Sequence, residues 1–158
     1  FISEEDAALF GGGAHVLANP ISEEMKVMRP SLLPGLARAA ARNLARGVTS
    51  VRLFELGRRY LAEAERPTLS VLLAGEASPR GWQSGKARAF DAFDVKAAVL
   101  ALLGEAGAPV ANLQLAPGAG EAFHPGRSAA LRLGKAELAR FGELHPALAK
   151  TFDLPAGT

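Results

Sequence analysis

Between positions 31 and 46 the apolar residues Leu33, Leu36, Ala40 and Leu44 recur at three- and four-residue spacing, which predicts a helix with one apolar stripe. Arg38, Arg42 and Arg46 repeat every four residues and make a basic stripe on another face of the same helix. Ser31 supplies a cap, Pro34 stands in the first turn where a missing N–H is tolerated, and Gly47 follows at the position that ends helices. A second helix is predicted from Asp91 or Asp94 to about Ala106, with Phe93, Ala97, Leu100 and Leu103 along one side and Gly107 closing it. Two shorter helices are expected. One lies in residues 3–10, where Ser3 precedes Glu4, Glu5 and Asp6 and Gly11-Gly12-Gly13 stops it; the other opens at His145-Pro146 and reaches about Phe152.

The remaining apolar segments have strand character. Residues 51–61 carry bulk toward both sides (Val51, Leu53, Phe54, Leu56, Tyr60), so this long strand is expected inside a sheet. Arg66-Pro67 is read as a turn, and residues 68–74 as the strand that pairs back antiparallel. Residues 14–18 and 110–115 are expected as short strands, residues 22–30 as an extended segment or a single turn, and residues 75–89 and 116–127 as loops. Residues 128–133 and 137–144 flank Gly134-Lys135 as a hairpin. Neighbouring strands interleaved with helices describe an α+β domain around an antiparallel sheet, one domain over residues 1–158.

Composition agrees with a single compact core: 158 residues, 49% hydrophobic and 22% charged, which excludes disordered, collagenous and coiled-coil classes. There is no cysteine, so thiolate nucleophiles and sulfur-ligated zinc are excluded. No apolar run approaches the roughly 20 residues of a membrane span, and residues 1–20 lack a secretory pattern, so the chain is read as soluble and cytoplasmic. It opens on Phe1 without a Met and stops at Leu154-Pro155-Ala156-Gly157-Thr158 without a closing element, and it is read as an excised piece of a longer protein.

Net charge is only +2, but eight arginines from Arg29 to Arg66 face only Glu55, Glu63 and Glu65. Such a region can meet phosphates or an acidic protein surface, although on composition alone a solvated face explains it more simply. His15, His124 and His145 are far apart and at no ligand spacing, so no metal site is expected. No G-x-S-x-G elbow is present, and Gly11-Gly12-Gly13 reads as a flexible turn. Phe123-His124-Pro125-Gly126-Arg127-Ser128 is a candidate anion loop through His124 and Arg127; the competing reading ties these residues to a neighbouring carboxylate. Asp91 and Asp94 could form an acid pair, but helix caps explain them with fewer assumptions.

Five phrases in order carry a resemblance. They are Asn19-Pro20-Ile21-Ser22-Glu23-Glu24 through Met28-Arg29-Pro30-Ser31-Leu32-Leu33-Pro34-Gly35-Leu36, Val51-Arg52-Leu53-Phe54-Glu55-Leu56-Gly57-Arg58-Arg59-Tyr60, Phe90-Asp91-Ala92-Phe93-Asp94-Val95-Lys96, Phe123-His124-Pro125-Gly126-Arg127-Ser128-Ala129 and Gly142-Glu143-Leu144-His145-Pro146. Together they resemble the catalytic-like module of the bacterial phenylalanyl-tRNA synthetase β subunit over nearly the whole chain. The resemblance implies a class II synthetase-like antiparallel sheet flanked by helices.

It also implies catalytic silence. The class II Arg-x-Glu signature would fall at the end of the 51–61 strand, where Leu61 takes the place of the arginine that clamps the ATP α-phosphate and the amino-acid carboxylate, and Glu63 the place of the glutamate. Losing that bidentate contact costs several kcal/mol of transition-state stabilisation. The implied role is structural: packing against the catalytic α subunit in an α2β2 assembly that charges tRNA(Phe), with ATP and Mg belonging to the holoenzyme and no cofactor here. The alternatives are a tRNA-contacting module using Arg38, Arg42 and Arg46, and a small enzyme acting through His124 and Arg127. Three expectations follow: a cleft either filled by side chains or without convergent charge, the 31–46 helix burying Leu33, Leu36, Ala40 and Leu44 and exposing its arginines, and an open apolar face or sheet edge that promotes self-association.

Overall fold

The computed structural model of the chain describes residues 1–83 and 85–158; Ser84, inside the segment expected as a loop, lies outside the described residues. Helix α1 (Glu4–Ala8) is capped by Ser3, whose Oγ accepts the Asp6 N–H at 3.1 Å. Helix α2 (Leu33–Ala45) ends as expected, with Gly47 at a φ of 87°. Its start differs by two residues: Ser31 Oγ accepts the Leu33 N–H at 3.2 Å, and the helix begins only there. Leu36, Ala37 and Ala40 are buried, Leu33 and Leu44 pack at the margin of the core, and Arg38, Arg42 and Arg46 are exposed.

Strands β1 (Ser50–Leu61) and β2 (Ala64–Ser78) pair antiparallel without a break from Ser50↔Gly75 to Leu61↔Ala64. The turn is therefore Ala62-Glu63, and the expected turn at Arg66-Pro67 is corrected: both residues lie inside β2. Glu76 N–H donates to the Thr49 carbonyl, so in an unbroken antiparallel ladder the alternate residues 74, 72, 70 and 68 also turn toward β1. Pro67 falls on the outward-facing set, where a missing N–H costs no ladder bond. Strand β3 (Arg88–Ala89) adds to the end of β2, so part of the expected 75–89 loop is sheet.

Helix α3 (Ala92–Glu105) opens with a reciprocal capping box, Asp91 accepting from the Asp94 backbone and Asp94 from that of Asp91. The expected 110–115 strand is instead a 3-10 turn at Val110–Asn112 followed by β4 (Gln114–Pro117). Strand β5 (Phe123–Leu133) takes in the end of the expected 116–127 loop and meets β6 (Ala136–Leu144) across the Gly134-Lys135 turn. Helix α4 (Pro146–Thr151) closes the chain, its first turn capped by the His145 ring. Residues 14–18 form no strand, only a bridge from Val16 to Val27; with Gly13 and Asn19-Pro20 on either side, too few residues are free to extend it.

The architecture is α+β with two three-stranded antiparallel sheets, β1-β2-β3 and β4-β5-β6. One core joins them: Leu36, Ala37 and Ala40 of α2, Val51 of β1, Leu72 and Ala74 of β2, Leu144 of β6, and Ala149, Phe152 and Leu154 around α4. Each large apolar side chain so buried contributes about 1.5–3 kcal/mol. A small satellite of Ile2, Ala7 and Val27 holds the N-terminal segment. No helix among the described residues is long and apolar enough to cross a membrane.

Candidate functional site

The β1–β2 hairpin divides its side chains by the period of two. Val51, Leu53, Glu55, Gly57 and Arg59 occupy one face of β1. There Arg29 crosses the strand, its Nε donating to the Arg58 carbonyl at 3.1 Å and its Nη1 pairing with Glu55. Gly57 permits the crossing, since a Cβ at that position would collide with the Arg29 guanidinium. The opposite face carries Arg52, Phe54, Leu56 and Arg58. Phe54 is 74% exposed and Leu56 73%, and their cross-strand partners are Val71 and Leu69. The sequence suggested a strand buried on both sides; instead one face is an apolar ridge in solvent. Its signal was present in the sequence, because Arg52 and Arg58 share the ridge's alternation and could not be interior.

Leu61 ends β1, and its carbonyl oxygen lies 3.1 Å from His15 Nε2. Around it Arg58 is ion-paired with Glu65, and Arg59 directs its Nε into the interior, where that atom is buried without a partner. Between the two sheets lies a cavity of about 920 Å³ whose charged lining comprises Arg59, Asp91, Glu121, Glu137, Arg140 and Glu143. Arg140 is bound to Glu137 at 2.5 Å, and that contact, chiefly, holds the Glu137 carboxyl below the usual carboxylate range. Asp91, Glu137 and Glu143 are all ion-paired with arginines, so the lining presents no cluster of free positive charge for a triphosphate.

The arginine stripe is not uniform. Arg38 grips Asp6 with both Nε and Nη2, at 2.6 and 2.7 Å, and its guanidinium stands 5.5 Å from the centre of the Phe152 ring. The hydrogen bond to Asp6 raises the Arg38 pKa further. The Asp6 side chain is only 7% exposed, so this pair ties α1 to α2. Among the described residues no ion pair involves Arg42 or Arg46. No sequence signal pointed to Asp6, because the pairing spans 32 residues.

His124 and Arg127 engage separate partners. His124 Nδ1 accepts the Gly126 N–H at 3.0 Å, Ser128 Oγ donates to the His124 carbonyl at 2.7 Å, and Arg127 Nε reaches the mostly buried Glu143 at 2.6 Å. Arg127 thus makes the carboxylate tie that competed with the anion reading, while the His124 ring bonds to loop backbone. Asp91 and Asp94 act as caps, and Arg88 holds Asp94 through both carboxylate oxygens at 2.7 and 2.8 Å. That Arg88 contact, foremost, keeps the Asp94 carboxyl below its ordinary range. Among the described residues no group of three His, Asp or Glu side chains could hold a metal ion.

The family profile of the phenylalanyl tRNA synthetase beta chain CLM domain matches residues 1–158. A phenylalanine–tRNA ligase beta subunit of Novosphingobium aromaticivorans is 63% identical over 162 aligned residues, which cover 98% of this chain and 20% of that protein. The beta subunit of Zymomonas mobilis is 60% identical over 155 residues and that of Rhodospirillum rubrum 49% over 159, each with the same coverage. The chain thus spans about a fifth of the length of the curated relatives it matches.

Proposed function

Since the chain belongs to the phenylalanyl tRNA synthetase beta chain CLM domain family, we propose that it is a non-catalytic interface module of a cytoplasmic phenylalanine–tRNA ligase, class II-like in fold, packing against the catalytic α subunit of an α2β2 assembly. ATP, Mg and tRNA(Phe) are then handled by the holoenzyme. The observation that carries the reading is the solvent-facing ridge of Phe54 and Leu56 on a hairpin whose end presents Leu61 where a class II enzyme needs an arginine. Without a guanidinium there the module has no clamp for an adenylate, and an apolar sheet face in water favours burial against a protein.

The test is assembly. In the full-length β chain the double substitution Phe54→Ser with Leu56→Ser exchanges only exposed side chains, so the fold persists while the α subunit is lost from affinity co-purification. Retention of a full complement of α subunit would refute the interface assignment.

A second reading is favoured by the unpaired state of Arg42 and Arg46, which could meet tRNA phosphates. Arg38, committed to Asp6, is not available for that contact. If both remaining arginines touch phosphate, replacing them with Ala reduces the slope of log K against log salt for tRNA binding by about 2. An unchanged slope assigns them to a solvated face.

A further inference from the structure

The single tryptophan of the chain stands in water. Trp82 is 93% exposed, at the tip of the connection between β2 and β3, although a covered indole buries about 150–250 Å². The tip is closed behind it. Gly81 and Gly85 exchange both backbone hydrogen bonds, at 3.2 and 2.8 Å, and Gly85 takes a φ of 72° that a side chain would strain. The pair Ser78↔Arg88 lies on the same register as Gly81↔Gly85, so the two arms of the connection run side by side out to the tip. That register sets Arg80 across from Lys86, next to the bridged glycines, in the non-hydrogen-bonded position where facing side chains stand closest. Both are exposed, and among the described residues neither has an ion pair. Like charges facing each other across two strands are destabilising, and an anion held between them converts that repulsion into two attractions.

The surrounding charge has one sign. From Ala77 to Phe90 the chain carries Arg80, Lys86 and Arg88 and no carboxylate, and only Arg88 is engaged, by Asp91 and Asp94. At the root of the connection the Glu76 N–H donates to the Thr49 carbonyl, and a Cβ on Gly75 would sit 3.5 Å from Leu44 Cδ2. The turn that carries Arg46 therefore stands at the same end of the molecule. Arg52 is there too, its Nη2 donating to the Ala77 carbonyl and its guanidinium 4.9 Å from the centre of the Phe90 ring; Glu76 is the carboxylate at this root. An aromatic anchor of a protein interface sits among apolar neighbours that exclude water. Those of Trp82 at the tip are Gly81, Gln83, Gly85 and Lys86. An open aromatic face between unpaired cations is instead the combination that holds single-stranded nucleic acid, the ring taking a base and the cations its phosphates.

We propose that the tip of the β2–β3 connection is a stacking platform for an unpaired nucleotide of the tRNA: Trp82 covers the face of the base, and Arg80 and Lys86 take the two adjoining phosphates. The proposal rests on the reading that the assembled enzyme handles tRNA(Phe), and it names a contact separate from Arg42 and Arg46. Every base has a π-face, so the platform adds affinity and fixes the position of the strand without reading its sequence.

The experiment measures tRNA(Phe) binding by the assembled enzyme across a range of salt concentrations. Trp82→Ala is expected to weaken binding about 5- to 150-fold while leaving the slope of log K against log salt unchanged, and Trp82→Phe, which keeps a ring, to stay within about threefold of the parent. Arg80→Ala with Lys86→Ala is expected to do the converse to the salt dependence, reducing the slope by about 1.4, the value for two phosphates of a single strand. A photo-crosslinking residue at Gln83 is expected to capture an unpaired nucleotide of the tRNA. All these side chains are exposed, so the fold persists and the α subunit is retained on co-purification. Parental affinity in Trp82→Ala overturns the platform and leaves the interface reading intact. Loss of the α subunit from Trp82→Ala, or crosslinks from Gln83 into protein, also overturn it, because the indole is then a protein contact. An unsubstituted enzyme that binds no tRNA(Phe) overturns both the platform and the functional reading beneath it.

Discussion

At the scale of single residues, identical side chains at regular spacing have different energetic roles. Arg38, Arg42 and Arg46 are indistinguishable in sequence, yet only Arg38 meets a buried carboxylate. Removing it leaves Asp6 enclosed without its guanidinium, which in a fully buried pair costs 3–5 kcal/mol. Because Arg38 is 55% exposed, water and screening reduce that. Arg38→Ala is therefore expected to destabilise the fold by about 2 kcal/mol, and Arg42→Ala by less than about 0.5 kcal/mol. Urea unfolding of the two variants reads the difference, and equal midpoints would show that the Asp6 pair contributes nothing. The stripe's exposure was legible from periodicity. The partner was not, because a contact between residues 6 and 38 depends on how α1 is carried onto α2 by the N-terminal segment and its bridge to Val27.

At the scale of elements, local chemistry was the most legible part of the fold. The caps of α1 and α3, the Gly47 stop and the Gly134-Lys135 turn all depend on a few adjacent residues, and each stands where the sequence placed it. The misplacements are cases in which pairing overruled a local cue. Arg66-Pro67 is a turn signal in isolation, but the register that sets Leu56 opposite Leu69 makes it strand. His124 to Arg127 carries loop-forming residues and has no β6 partners, yet the flanking pairs Phe123↔Leu144 and Ser128↔Gly142 enclose it within β5 as an irregular stretch. For α3, Asp91→Ala removes the acceptor for the Phe93 and Asp94 N–H groups and is expected to cost about 1 kcal/mol. Asp94 adds a pH dependence. Its folded pKa lies below the unfolded value near 3.9, so its contribution is complete above that value and is lost as pH falls through the depressed one. Asp94→Asn is accordingly expected to make the acid limb of a stability–pH profile shallower below about pH 4. An unchanged limb would mean that the Arg88 contact does not persist in solution.

At the scale of the whole molecule, the question is whether the module retains any capacity for nucleotide. In the class II-like reading proposed above, an adenylation site would concentrate positive charge where a triphosphate must sit and would carry its arginine at the end of the hairpin that here closes on Leu61. In this molecule the positive charge has been drawn into internal ties: Arg29 to Glu55, Arg58 to Glu65, Arg140 to Glu137, Arg88 to Asp94 and Arg127 to Glu143. The large central cavity is bordered by four carboxylates and two guanidinium groups; Asp91, Glu137, Glu143 and Arg140 are already ion-paired, and among the described residues Glu121 and Arg59 are not. A triphosphate with several negative charges meets there one guanidinium without an ion pair, set against the unpaired Glu121 carboxylate, and so no concentration of positive charge to hold it. The β chain on its own is therefore expected to bind ATP with a dissociation constant weaker than about 1 mM, above −4.1 kcal/mol in binding free energy. Leu61→Arg alone should leave that constant within about threefold, since one donor at the strand end restores neither the field nor an open cleft. Isothermal titration of both proteins with Mg–ATP decides the matter: micromolar binding by the parent chain, or a hundredfold gain from the single substitution, would mean that a working adenylate site survives in the hairpin.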